Sequence, residues 1–456
     1  MNCFIRHLVC FFIISCFSTP LWAGTGEDSI QEQAAGSHLP GKEIEMLPAE
    51  SEEPAFLYKI GLSGFGRGEA AGNFSLSDAA FVGDHGEGRF IYRIMPYLYW
   101  HPTDYFNLHV EGQGFGFAGG ANQDSDKYSL YQGFADVRWP GSEILSVRLG
   151  RQEFNYGSGF ILGNDEFNDG LSFDAVQLRI KPIDPIKIDL LAGSYAKPLS
   201  NGVDGNLAGI YATYSLSSGN DIEAYFFRDT GSENHRSGEK LYVWGSRFTV
   251  RNEPISVEFE PVYESGLQFN ENTGGYDRIS AYGGHFDLNV ESALQGFKNT
   301  FILSYAYGSG SRDAANGSRF NREFRNPNNY ASFLEYISVV GDLSGIDAGD
   351  HHASGLQVYT LGWGVDLSKR FNFAITGHYY QANNVEEGFS RNLGLETNYR
   401  LTWNVLDSLS VILSYDRFFT GGFFRDAGAS GDVDICYLMA QFDISSAKPV
   451  KGNLPK

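Results

Sequence analysis

The sequence predicts an all-β protein, a transmembrane antiparallel up-and-down β-barrel of about eighteen strands. Three observations support this fold class. Most of the chain alternates apolar and polar residues, the connections between these segments alternate between short and long, and an export signal precedes them. Each observation is weak alone, since a soluble all-β protein also has amphipathic strands, but together they favour a barrel in lipid.

The N-terminus has the features of a secretory signal peptide. Arg6 supplies positive charge, residues 8–17 form a short apolar run, and Ala23 precedes a glycine. The run is too short for a spanning helix, which needs roughly twenty residues. We therefore expect residues 1–23 to be a signal peptide cleaved near Ala23. A lipoprotein starting at Cys16 is the alternative, and the residues that follow Cys16 favour it less.

The composition suits many strands joined by tight turns. The chain has 55 Gly, 36 Phe and 26 Tyr but only 15 Pro, and glycine-rich turns with aromatic girdles are typical of outer-membrane barrels. Of the 4 Cys, only Cys436 lies beyond the signal peptide, which argues against a disulfide-stapled scaffold. A formal net charge of −21 excludes a general nucleic-acid binder.

Alternation with a period of two residues defines the strands. In one segment Ile186, Ile188 and Leu190 alternate with Lys187 and Asp189, so one face is apolar and the other polar. We expect residues 24–55 to be a flexible periplasmic leader, 56–445 the barrel and 446–456 a periplasmic tail. The predicted strands are 57–66, 88–100, 104–117, 127–139, 145–155, 173–183, 186–196, 206–217, 220–230, 240–252, 254–265, 276–291, 297–309, 351–367, 370–382, 391–405, 408–420 and 433–444.

The alternation of short and long connections indicates how the barrel is oriented in the membrane. Turns of a few residues, such as 184–185, alternate with longer connections, such as 156–172 and 310–350. Outer-membrane barrels have short periplasmic turns and longer outer loops, and an even number of strands returns both termini to the periplasm. A barrel of about this size is too wide for side chains to fill, so we expect an aqueous channel. The predicted location is the outer membrane of a Gram-negative cell.

Two segments resemble the alginate export family. The first runs from Leu149 to Glu153 (LGRQE), continues through Tyr156-Gly157 and reaches Ser172 to Asp174 (SFD); the second is 393–424, with Leu393-Gly394, Glu396, Tyr415, Phe418 and Gly421. The resemblance implies an outer-membrane channel for a hydrophilic solute or polysaccharide. The motif residues that we take from it are Gly150, Arg151, Gln152, Glu153, Tyr156, Gly157, Phe173 and Asp174.

The chain departs from that family at two positions. Leu171 stands where an arginine is common, and Thr420 stands where a proline is common. The family's namesakes pass an acidic polysaccharide through an arginine-rich lumen, so the missing arginine and the acidity of the chain argue against alginate itself. A general small-solute porin and a plugged structural or adhesive barrel remain alternatives.

Strand parity nominates residues that line the pore. An anionic polymer needs inward arginines and lysines, which bind carboxylates strongly. Acidic residues share the same faces, so the lumen is expected to be mixed, and a ladder of cross-strand ion pairs is the simpler interpretation. The candidate pore-lining residues are Arg93, Arg138, Arg148, Arg179, Lys187, Arg247, Arg400 and Glu396.

The sequence predicts no enzyme, cofactor or metal site. The histidines form no motif, and adjacent His351 and His352 point to opposite sides of a strand. The expected partners are outer-membrane lipid and a hydrophilic solute or polysaccharide, not nucleic acid, and the oligomeric state is left open. The connection 311–350 is far longer than most loops, and we predict that it folds over or into the barrel mouth and constricts the channel. The alternative is a surface helix or flap that has no effect on flow.

Overall fold

The structure is a computed structural model that describes ten ranges of the chain. All of them belong to one unit of the chain. The described ranges are 57–72, 87–119, 125–140, 144–163, 170–196, 205–230, 239–270, 274–311, 343–428 and 431–448. No helix among these residues is long and apolar enough to span a membrane.

The strands form a closed antiparallel β-barrel. Strand β1 pairs with β2 on one side and with β19 on the other, which closes the sheet on itself. The strands are β1 (Tyr58–Gly72), β2 (Glu87–Thr103), β3 (Phe106–Ala118), β4 (Ser125–Arg138), β5 (Leu145–Gln152), β6 (Phe173–Ile183), β7 (Ile186–Tyr195), β8 (Asn206–Ser217), β9 (Asn220–Asp229), β10 (Lys240–Asn252), β11 (Ile255–Asn270), β12 (Gly275–Leu294), β13 (Phe297–Gly308), β14 (Gly345–Ala348), β15 (His351–Ser368), β16 (Phe371–Asn384), β17 (Asn392–Leu406), β18 (Leu409–Thr420) and β19 (Val433–Lys448).

The wall contains 18 strands, as predicted from the sequence. The additional strand, β14, is four residues long and pairs with residues 351–354 of β15. Further along β15, residues 357–366 pair with β13 instead. Strand β14 therefore extends the wall beyond the end of β13.

Short turns lie at one end of the barrel. Two residues join β6 to β7, β8 to β9 and β12 to β13. In the last of these turns Gln295 and Gly296 both have positive φ, 54° and 83°, which is the backbone of a type I′ hairpin turn. Tyr58 pairs with Lys448 at this same end. We assign it to the periplasm, because outer-membrane barrels keep their short turns there.

The two faces of the wall have opposite polarity. Leu190, Phe259 and Leu395 point outward with exposed fractions of 38%, 46% and 41%, whereas Arg93 and Glu396 point inward and are buried. Ile188, Val257 and Leu413 share the outward parity. Closure of the barrel pairs the backbone groups of the strands within the sheet, which is the condition for placing strands in lipid.

One short helix lies in the connection between β18 and β19. Helix α1 spans Gly422–Asp426, and its residues Phe423 and Phe424 are fully buried. Phe424 packs edge-on against Phe418 of β18, with ring centroids 5.9 Å apart. Helix α1 thus adds buried aromatic side chains to the apolar packing at the end of the barrel that carries the long loops.

Candidate functional site: the lumen and its inward-folded segment

The chain enters the barrel lumen directly after β5. We call residues 153–163 the inward segment. Tyr156 donates a hydrogen bond to Asp189 Oδ2 at 3.0 Å and stacks on Tyr211, with ring centroids 4.5 Å apart. Ser158 Oγ lies 3.4 Å from Glu260 Oε2. Because these partners stand on the inward faces of β7, β8 and β11, the segment lies in the lumen and narrows it.

Apolar side chains hold the inward segment in place. Phe154, Phe160, Ile161 and Leu162 are at most 3% exposed. The Phe154 ring lies 5.1 Å from that of Phe173, and the Phe160 ring lies 4.8 Å from that of His285. Burying one such side chain contributes about 1.5–3 kcal/mol, so the segment has a substantial apolar anchor on the wall.

The backbone of the inward segment turns sharply at a glycine. Tyr156 N donates to Leu162 O at 2.9 Å, and Gly159 N donates to Tyr156 O at 2.9 Å. Gly157 between them has φ of 60°, a left-handed conformation that favours glycine. A Cβ at this position would also lie 2.9 Å from Arg247 Cδ on β10. The Tyr-Gly step of the family motif therefore allows the chain to pass close to the wall.

An ionic network on β9 to β12 faces the tip of the inward segment. Arg247 donates to Glu223 Oε2 at 2.5 Å and to Glu258 Oε2 at 2.6 Å. His285 Nε2 lies 3.3 Å from Glu260 Oε2, and its Nδ1 lies 2.5 Å from Asp287 Oδ2. This network brings together more carboxylates than cations.

A second network lies on β4 to β7. Arg148 binds Asp136 through two nitrogens, Nε at 2.9 Å and Nη2 at 2.8 Å. Arg179 donates to the same carboxylate at 3.2 Å and to Gln177 at 2.7 Å. The Arg148 guanidinium also lies over the Phe134 ring, 3.9 Å from its centroid. Both arginines thus donate hydrogen bonds to side chains of the barrel wall.

Arginines on β1 and β2 are engaged in the same way. Arg67 donates to Glu69 Oε2 at 3.0 Å, and Arg89 pairs with the other oxygen of that carboxylate. Arg93 donates to Gln113 at 2.9 Å and lies over the Tyr131 ring, 4.6 Å from its centroid. These contacts hold each of the three arginines against a neighbouring side chain of the barrel wall.

Carboxylates outnumber guanidinium groups in the lumen. Among the side chains that the structure describes, the buried set contains eight carboxylates and four arginines. An excess of acidic over basic side chains on an inward wall favours cations over anions. The carboxylates are Glu69, Glu111, Glu223, Asp229, Glu260, Glu264, Glu396 and Asp416, and the arginines are Arg67, Arg93, Arg148 and Arg247.

The predicted pore-lining residues occupy different environments. Arg93, Arg148, Arg247 and Glu396 are buried on inward faces. Arg179 lies beside Arg148 in the second network. Arg400 lies in the middle of β17 and Arg138 at the end of β4, and both are half-buried, whereas Lys187 is exposed near the periplasmic turn.

The motif residues divide between the two faces. Arg151 points outward and binds Asp174 through Nε and Nη2, both at 2.8 Å. No irregularity occurs in the β4–β5 pairing here, so Arg151 keeps its outward parity. Gln152 points inward and donates to Ala175 O at 3.0 Å. Gly150 has φ of 124°, and a Cβ there would meet Gly133 O at 2.2 Å.

The remaining motif residues bridge the wall and the inward segment. Glu153 opens the segment, where its side chain accepts a hydrogen bond from Tyr131. Phe173 is fully buried and packs against Phe154. Tyr156 and Gly157 form the turn described above. The motif therefore builds the entry of the chain into the lumen.

Sequence reasoning missed two members of the lumenal network, Ser158 and His285. His285 stands opposite Glu260 in the β11–β12 pairing, and Asp287 stands opposite Glu258. The alternation of His285 with Asp287 indicates that both face the lumen. It could have predicted the network only if the pairing register of β11 with β12 had been known. The predicted constriction by 311–350 concerns residues of which 312–342 lie outside the described part of the chain.

The sequence matches the family model described as "Alginate export" over residues 103–435. The match spans well over half of the chain. The chain belongs to the alginate export family. No curated protein is significantly similar to it in sequence.

Solved structures of outer-membrane channels share its fold. Acinetobacter baumannii OccAB4 has a TM-score of 0.57 and 12% identity, over 86% of this chain and 99% of that one. Pseudomonas aeruginosa OpdK, solved with vanillate, has a TM-score of 0.57 and 9% identity, over 86% and 100%. Pseudomonas aeruginosa OccK11 has a TM-score of 0.55 and 12% identity, over 86% and 98%. With the family membership, this fold identifies the alginate export family member as an outer-membrane solute channel.

Proposed function

We propose that this member of the alginate export family is a passive channel for small hydrophilic solutes that are neutral or positively charged. The observation that carries the proposal is the excess of carboxylates over arginines among the buried lumenal side chains described above. Lumenal walls of one sign raise the local concentration of ions of the opposite sign. An acidic wall therefore favours cations and disfavours a polyanion.

The arginine contacts support the same solute class. Recognition of an anionic sugar needs guanidinium groups that can donate two hydrogen bonds to a carboxylate. Arg148 already makes this paired contact with Asp136, and Arg247 divides its donors between Glu223 and Glu258. A passing anion has to compete with these wall carboxylates.

Planar-bilayer recording tests the proposed solute class. Purified protein in a salt gradient should give a reversal potential of the sign expected for cation preference. An anionic oligosaccharide should leave single-channel conductance unchanged. Anion preference, or block by the anionic oligosaccharide, would instead support a polysaccharide channel. A barrel without conductance would support the plugged structural alternative.

Two finer features complete the proposal. We propose cleavage near Ala23, because the short apolar run and the small residue before Gly24 fit a signal peptidase site. Intact-mass measurement of the outer-membrane protein should give a chain that starts at Gly24, and a lipid-modified chain starting at Cys16 would contradict this. We also propose that the channel transports solutes without catalysing a reaction. In support, carboxylates of the lumen are hydrogen-bonded to arginines, amides and tyrosines of the barrel wall.

A further inference from the structure

Four polar side chains converge where the inward segment meets the wall. We call Ser158, Glu258, Glu260 and His285 the His285 cluster. The first belongs to the inward segment, the next two to β11 and the last to β12. One ligand atom from each of Glu258, Glu260 and His285 lies within 4.8 Å of the other two. We propose that the His285 cluster binds one divalent transition-metal ion, with Zn²⁺ as the best match.

The spacing of the atoms fits a tetrahedral ion. Zinc ligands lie about 2.0–2.1 Å from the metal, so two ligands at the corners of a tetrahedron are about 3.3–3.4 Å apart. Ser158 Oγ lies 3.4 Å from Glu260 Oε2 and 3.3 Å from His285 Nε2. His285 Nε2 lies 3.3 Å from Glu260 Oε2. These three atoms already form one face of such a tetrahedron.

Glu258 offers a further ligand atom, within 4.8 Å of those of Glu260 and His285. Its Oε1 lies 3.6 Å from His285 Nε2 and is buried without a hydrogen-bond partner among the described residues. A buried carboxylate oxygen without a donor is costly, because it has given up its water. A metal ion at the centre of the cluster removes that cost by direct coordination.

Each ligand side chain is held from its far side. Glu258 Oε2 accepts from Arg247 at 2.6 Å, and Glu260 Oε1 accepts from the Tyr225 hydroxyl at 2.6 Å. His285 Nδ1 lies 2.5 Å from Asp287 Oδ2. Outer contacts of this kind orient metal ligands, and a carboxylate on the far nitrogen of a histidine is the common arrangement around zinc.

Charge balance favours a dication. A metal ligand has to be a neutral imidazole, and once His285 has released its second proton the four carboxylates and one guanidinium of the network leave a formal charge of −3. When Nδ1 donates its proton to Asp287, the lone pair on Nε2 faces the two glutamates. The lone pair and the two glutamates repel one another, whereas a dication bound between them would be coordinated by all three. The imidazole ligand and the short spacing favour Zn²⁺ over Ca²⁺, which prefers six to eight oxygen ligands.

The site joins the inward segment to the barrel wall. Ser158 is its contribution from the segment, either as a ligand or as a donor to a coordinated water. An ion held here therefore fixes the inward segment against β11 and β12. The site does not depend on which solute the channel passes, so it stands or falls separately from the proposed function.

Metal binding by the folded, untagged barrel in detergent tests the site. After treatment with a chelator, the protein should bind one Zn²⁺ per chain in calorimetry and give the intense visible absorption of tetrahedral Co²⁺. His285→Asn and Glu258→Gln should each weaken binding by at least roughly tenfold, since each removes a ligand. Asp287→Asn should weaken it by roughly 10–100-fold by releasing the imidazole orientation.

Glu396→Gln is the matched control. Glu396 is a buried lumenal carboxylate on β17 that accepts a hydrogen bond from Tyr380, and it lies outside the cluster. This variant should bind Zn²⁺ as the unmodified protein does. Heat-modifiable migration on gels confirms that each variant is folded, and Ser158→Ala offers a milder change if His285→Asn does not fold.

Three results would overturn the proposal. They are no saturable Zn²⁺ binding, binding that both Glu258→Gln and Asp287→Asn leave unchanged, and a Co²⁺ spectrum of octahedral type. In each case the cluster is an ion-pair network in which a protonated His285 serves as the cation between the carboxylates.

Discussion

Arg148 on β5 donates two hydrogen bonds to Asp136 on β4, from Nε at 2.9 Å and from Nη2 at 2.8 Å. Arg179 on β6 reaches the same carboxylate at 3.2 Å. One carboxylate thus accepts hydrogen bonds from two guanidinium groups on neighbouring strands. Because these donors are directed at the barrel wall, the number of arginines alone does not predict what the channel attracts.

Asp136→Asn should shift the channel toward anions. The substitution removes one negative charge and releases the donors of Arg148 and Arg179 toward the lumen. Loss of these charge-assisted hydrogen bonds costs about 1.5–3 kcal/mol of folding stability. The measurement is the reversal potential in a salt gradient. Asp174→Asn is the control, since it breaks an arginine–aspartate pair on the outward face and should leave selectivity unchanged.

Leu190→Arg should impair insertion of the barrel. Leu190 points outward on β7, and an arginine facing lipid near the bilayer midplane costs about 2–4 kcal/mol. The measurement is the folded fraction in lipid vesicles across a urea titration. Leu190→Phe keeps an apolar surface and should fold as the unmodified protein does. Equal stability of both variants would place Leu190 away from the lipid core.

The fold was predictable because its signals are local. A period of two residues and the sorting of short and long connections are both visible in the sequence, and they give the 18 strands and the closed wall. The outward positions of Leu190, Phe259 and Leu395 follow from parity alone. The short strand β14 was not predicted, since four residues carry too little alternation.

The site was less predictable because it depends on register and on a loop path. Which acid meets Arg247 is decided by the pairing of β9, β10 and β11, and strand boundaries from sequence carry errors of about two to four residues. The connection after β5 was predicted as an outer loop, yet residues 153–163 lie in the lumen. Strand β5 ends at Gln152, three residues before its predicted end, and alternation beyond it could not show where Phe160 packs. The constriction predicted for 311–350 stays a prediction.

Phe160→Ala should loosen the inward segment. Phe160 is 1% exposed and packs against His285, and truncating a buried phenylalanine costs about 3–5 kcal/mol. Opening of the segment can be measured with the Ser158→Cys variant in a Cys436→Ser background. The rate at which a thiol reagent labels this cysteine reports how often the segment opens. That rate should rise at least roughly a hundredfold with Phe160→Ala, since about 1.4 kcal/mol is tenfold. Leu130→Ala on the outward face is the control and should not change the rate.

Removal of the inward segment should raise the conductance. Residues 155–162 occupy lumen between β7 and β12, with Tyr156 stacked on Tyr211 and Ser158 beside Glu260. Replacing these residues with a short Gly-Ser turn leaves the strand pairing of β5 with β4 and β6 intact. Single-channel conductance in a planar bilayer should therefore increase, because the cross-section of the lumen widens. A matched replacement of residues 386–389, in the connection between β16 and β17, controls for loop shortening and should leave conductance unchanged. Equal conductance of the inward-segment variant and the unmodified protein would show that the narrowest passage lies elsewhere in the barrel.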